Sequence, residues 1–74
     1  MAIVEITAPT SGSIVAVLTT RGDRVSEGQE LLIIESMKME IPVEATAAGI
    51  IAQVLVGEKS PIDIGDVLVT LESD

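Results

Sequence analysis

The chain has 74 residues, 47% hydrophobic and 22% charged, with a net charge of −8. A chain this short folds around one small core, burying roughly 60% of its unfolded surface, and leaves no room for a deep catalytic cleft. Only four residues are basic, which argues against nucleic acid or acidic lipid as a charge-driven partner.

The predicted elements are all strands. The aliphatic runs are short, rich in Val and Ile, and bounded by Gly, Pro, Asp and Ser. In chain order they are Ile3–Thr7, Ser13–Leu18, a short piece at Arg24-Val25, Leu31–Ser36, Met39–Glu44, Gly49–Val56, a short piece at Ile62-Asp63, and Val67–Glu72. No segment holds a helical period for long, and Gly and Pro interrupt too often for a long helix. The amino end lacks the basic and apolar regions of a secretory leader. The aliphatic runs, such as Leu31 to Ile34, are far too short to span a membrane. The expected compartment is the cytoplasm, or the mitochondrial matrix or a plastid if the chain is part of a longer organellar protein.

The chain repeats itself. Residues 8–36 align with 45–73 at a constant offset of 37, without a gap, and nine of the 29 pairs are identical. They include Ala8/Ala45, Gly12/Gly49, Ile14/Ile51, Gly28/Gly65, Leu31/Leu68 and Glu35/Glu72. One half alone is too small to bury a core, whereas two halves packed face to face are not. The expectation is one domain over residues 1–74, built of two similar antiparallel sheets about a pseudo-twofold axis. The predicted core is Ile14, Val25, Leu31 and Ile34 with Ile51, Ile62, Leu68 and Leu71. The paired glycines are expected at turns with positive φ or at close backbone approaches.

Between the repeats lies Met37-Lys38-Met39-Glu40-Ile41-Pro42-Val43-Glu44. Strands lead into and out of this segment, so Met37-Lys38 is predicted at a hairpin tip. Two-residue hairpin loops favour Asn-Gly or Asp-Gly, and Met-Lys is poor turn chemistry. Such a conflict with local propensity is expected at functional or strained positions. Pro42 lacks an N–H donor, so its strand is expected at an edge or incompletely paired there. A lysine at a hairpin tip is commonly just solvated, and methionine is commonly core filler. A tight tip cannot bury both Met37 and Met39, however, and apolar side chains grouped around one amine form a recognition patch.

The chemical inventory is otherwise thin. The chain has no Cys, His, Phe, Tyr or Trp. That excludes thiol chemistry, disulfides, histidine acid–base catalysis, Cys or His metal ligation and aromatic stacking on bases. The remaining charged residues read as solvated surface, with Arg21 and Arg24 near a turn.

The chain resembles the biotinyl/lipoyl attachment domain family over about Ile3 to Glu72. The resemblance rests on Glu35-Ser36-Met37-Lys38-Met39, with Gly22-Asp23-Arg24-Val25 and Gly28-Gln29 before it and Ala48-Gly49 and Gly65-Asp66 after it. It implies an all-β flattened barrel of two four-stranded antiparallel sheets, the hammerhead fold, with the modified lysine on an exposed hairpin. Met-Lys-Met resembles the biotinyl branch, because lipoyl domains usually carry Asp where Met37 stands. The resemblance therefore implies biotin covalently bound to Lys38. It implies a recognition role for Met37 and Met39, with smaller roles for Glu35 and Ser36. It also implies a biotin carboxyl carrier, not itself an enzyme, serving a multi-component acyl-CoA or related carboxylase. Its partners would be a biotin protein ligase, a biotin carboxylase and a carboxyltransferase. Ser36 departs from the more frequent Ala, and Lys59-Ser60-Pro61-Ile62 departs from a Gly-Asp-x-Val turn. No room remains for the protruding thumb loop of some bacterial carriers. The alternatives are a lipoyl carrier of a 2-oxo acid dehydrogenase-type complex and a non-carrier module on the same barrel.

Overall fold

In a computed structural model, which describes residues 2–74, eight strands form two four-stranded sheets. The strands are β1 (Ile3–Thr7), β2 (Gly12–Val17), β3 (Arg24–Val25), β4 (Glu30–Ser36), β5 (Met39–Glu44), β6 (Gly49–Val54), β7 (Pro61–Ile62) and β8 (Val67–Ser73). One sheet has the order β1-β8-β6-β3 and the other β5-β4-β2-β7, with every pairing antiparallel. Among the described residues no helix is long and apolar enough to cross a membrane.

The offset of 37 residues carries one sheet onto the other. It takes β2 to β6, β3 to β7 and β4 to β8, and brings β1 onto β5. The backbone hydrogen bonds repeat with it. The Gly28 N–H donates to the Ala45 carbonyl at 2.8 Å, and the Gly65 N–H to the Ala8 carbonyl at 2.9 Å. The Ile14 N–H donates to the Ser60 carbonyl at 2.9 Å, and the Ile51 N–H to the Asp23 carbonyl at 2.8 Å. These bonds cross between the halves, so each half completes the other.

The core holds all eight predicted residues and adds Ile6, Ala8, Leu32, Val43, Ala45 and Val69. Strict alternation would send Leu32 and Val69 outward if Leu31 and Leu68 point inward. The register shifts explain the consecutive burial. The pairing of β4 with β5 skips Leu31, and that of β8 with β1 skips Leu68. A bulge inserts one residue and turns the next side chain back to the same face. Pro42 lies on β5, at a sheet edge, where a missing donor leaves no ladder bond broken.

The paired glycines are of two kinds. Gly28 and Gly65 adopt φ of 86° and 89° in matching turns, a conformation that favours glycine. Gly12 and Gly49 instead lie where a Cβ would collide with the backbone carbonyls of Glu35 and Glu72. The departure at Lys59 is visible in the backbone. Lys59 has φ of 72° at the position where the first half places Gly22, with φ of 91°. A left-handed lysine is disfavoured by roughly 1–2 kcal/mol, partly offset by the chain entropy that glycine loses. Lys59→Gly should therefore raise stability by about 0.5–1 kcal/mol, measured as a higher urea midpoint with an unchanged slope.

Candidate functional site: the β4–β5 hairpin tip

Residue pairing fixes the tip. Leu32, Ile33, Ile34, Glu35 and Ser36 of β4 face Val43, Pro42, Ile41, Glu40 and Met39 of β5. Ser36 and Met39 close the ladder, so only Met37 and Lys38 remain to make the turn. Both are left-handed, with φ of 52° and 65°. Two positive φ values are what a type I′ hairpin turn requires, because its twist matches that of the strands. Neither residue is glycine, so the turn carries backbone strain that the ladder beneath it sustains.

The turn also fixes exposure. Met37 is 93% exposed, Met39 is 65% exposed, and Lys38 is exposed between them. Glu35 and Glu40 face each other across the ladder, both exposed. Ser36 is half-buried, its hydroxyl 3.4 Å from that of Thr10 in the β1–β2 connection. Beneath this surface Ile34 and Val43 are buried in the core and anchor the two strands. The ion pair among the described residues joins Arg24 to Asp74 at 3.0 Å, between half-exposed side chains, and does not involve Lys38. The Lys38 amine is thus held out in solvent on a two-residue loop without slack. It can be acylated by an enzyme that brings an activated carboxyl group to it.

The five residues marked out by the sequence thus come together at one hairpin. Sequence reasoning missed Thr10, whose hydroxyl meets that of Ser36 from 26 residues away. A cleft of about 340 Å³ lies elsewhere, between edge strands β1 and β5, where Ile6, Pro9, Pro42 and Val43 contribute to its walls. It includes neither Lys38 nor its neighbours.

A family model described as "Biotin-requiring enzyme" matches residues 4–71. A biotinylated protein TB7.3 homolog from Mycobacterium leprae is 37% identical over 67 residues, covering 90% of this chain and 94% of that protein. A biotin carboxyl carrier protein from Streptococcus mutans is 42% identical over 64 residues, covering 86% of this chain and 49% of that one. The fold matches part of a single-chain, multi-domain long-chain acyl-CoA carboxylase with a TM-score of 0.91 at 26% identity. That match covers 97% of this chain and 7% of the carboxylase. The chain thus spans about half of the Streptococcus carrier and a small segment of the carboxylase. A match over nearly the whole chain, on a fold that presents one lysine at a strained hairpin tip, leads to one assignment: the chain belongs to the biotin/lipoyl attachment family.

Proposed function

We propose that the chain is a biotin carboxyl carrier in which Lys38 bears the biotin and the rest of the domain presents it. The observation that carries this reading is the left-handed Met37-Lys38 turn, which holds an unpaired amine in solvent between two exposed methionines. Relatives named as a biotinylated protein and as a biotin carboxyl carrier protein support the cofactor. They also support a carrier without catalysis of its own.

An amine must give up a proton as it is acylated. Among the described residues no side chain forms an ion pair with the Lys38 amine, so a biotin protein ligase must remove the proton and deliver the activated acyl group. In that transfer the Lys38 nitrogen forms an amide bond, the adenylate leaves, and the amine gives up its proton to the ligase or solvent. Biotin held on Lys38 would supply a ureido nitrogen able to carry a carboxyl group. The protein contributes a rigid base for a flexible arm. A tethered group meets each active site as an effectively intramolecular partner. A biotin carboxylase and a carboxyltransferase are the two sites this reading requires.

The lipoyl alternative shares fold and lysine. Parallel incubations, one with biotin, ATP and a biotin ligase and one with lipoate, ATP and a lipoate ligase, separate the two by intact mass. One biotin-sized increment in the first and none in the second is the expected result. A lipoyl-sized increment alone would overturn the biotin assignment.

A further inference from the structure

The internal repeat supplies a comparison within one molecule. Exposed apolar residues that recur in both halves, such as Leu18 and its counterpart Leu55, belong to the shared fold. Those that do not recur are particular to one corner. At the hairpin corner the offset of 37 sets Met37 against Asp74, Met39 against Ala2, and Ile64 against Glu27. Met37, Met39 and Ile64 are exposed large apolar side chains, and Ile64 is 69% exposed.

Ile64 lies in the β7–β8 turn, on the same side of the sheet's edge as Lys38. In this sheet Gly12 pairs with Ile62, Ser13 pairs with Glu35, and Ser36 pairs with Met39. The β7–β8 turn therefore leaves the sheet at the level of the β4–β5 turn, three strand spacings from β5, or about 14 Å. The intervening β1–β2 connection ties the two turns together. The Ile64 N–H donates to the Ser11 hydroxyl at 3.1 Å, and the Thr10 and Ser36 hydroxyls are 3.4 Å apart. Glu35, Glu40 and Asp63 are exposed beside the apolar residues.

The geometry points to Ile64 as a second anchor of the ligase-docking surface, acting with Met37 and Met39 in the recognition that precedes acylation of Lys38. The inference rests on the biotin carrier reading. The ligase is the partner this surface fits, for a reason of reach. The bare lysine extends only roughly 6 Å from its Cα, so an enzyme that acylates it must touch the protein around the turn. The biotinylated arm reaches more than twice as far, and an enzyme that uses it can stay clear of Ile64. The complementary ligase surface has an apolar pocket for Ile64 and basic groups facing Glu35, Glu40 and Asp63.

The test is steady-state biotinylation by a biotin protein ligase, with the whole chain as the varied substrate. Ile64→Glu installs the residue that the repeat already tolerates at Glu27, and Ile64→Ser is a second, uncharged variant. Both should raise KM about tenfold or more while kcat holds, with melting curves matching wild type. Ile64→Leu should restore the wild-type KM. Ile3→Glu, at a residue 60% exposed on the other sheet, should change KM less than about twofold. Wild-type KM in folded Ile64→Glu and Ile64→Ser would overturn the docking role and leave the carrier reading standing. A wild-type chain that accepts no biotin would overturn the carrier reading itself, and this inference with it.

Discussion

Lys38→Arg should accept no biotin while melting at the wild-type temperature. Arginine keeps the positive charge and a long flexible side chain at the tip, so the left-handed turn sees little change. Its guanidinium remains protonated and is a very poor acyl acceptor. Because Lys38 is exposed and has no ion-pair partner among the described residues, its loss should cost less than about 0.5 kcal/mol. Intact mass after incubation with ligase, ATP and biotin reads the first part, and thermal melting reads the second. Biotin on the variant would place the acceptor elsewhere, and Lys59 is the other lysine in the chain.

The largest expected loss of stability comes from the small pair Gly12 and Gly49. A Cβ on Gly49 would collide with the Glu72 carbonyl oxygen and lie 2.9 Å from Leu71 Cδ1. A Cβ on Gly12 would collide with the Glu35 carbonyl oxygen and lie 3.1 Å from Ile34 Cγ2. A backbone carbonyl in a sheet cannot swing aside as a side-chain end can. Gly49→Ala should therefore cost about 3 kcal/mol and lower the melting temperature by about 15 °C. Gly12→Ala should cost a similar amount and also slow biotinylation, because Glu35 and Ser36 lead into the Lys38 turn. Gly49→Ala, acting through Glu72 on the other sheet, should be biotinylated at the wild-type rate below its melting point. Wild-type stability in both variants would contradict the close-approach account.

Much of this arrangement was legible in the sequence. The alternating aliphatic runs and the offset of 37 implied two antiparallel sheets, and the eight residues proposed for the core are all buried. The offset in the sequence stopped at residue 8, whereas the structural correspondence continues through β1 and β5. No identical residue survives between Ile3–Thr7 and Glu40–Glu44, and only the apolar character of the buried pair Ile6 and Val43 and of the half-buried pair Val4 and Ile41 is kept. Burial of Leu32 and Val69 was not legible because it depends on bulges, which shift the period without a sequence marker. The glycine pairs and both of their roles were expected, but which pair takes which role was not legible. Positive φ at Gly28 and Gly65 and contact with a carbonyl at Gly12 and Gly49 leave the same letter in the sequence.

The site divides in the same way. Lys38 and its methionines stood out because they contradict the turn chemistry expected between two strands. The positive φ at both Met37 and Lys38 gives that contradiction a physical form. Ile64 did not stand out, since a lone isoleucine between Asp63 and Gly65 reads as part of a turn. Only the pairing of β7 with β2 brings it to the same sheet end as the hairpin.

The most direct test of the carrier account is transfer of labelled carboxyl to the biotinylated chain. The chain is incubated with labelled bicarbonate, ATP and a biotin carboxylase, then separated from small molecules. The account predicts label retained at about one per biotin, labile to acid, and absent from Lys38→Arg treated in the same way. A biotinylated chain that stays unlabelled while free biotin in the same reaction is carboxylated would contradict it.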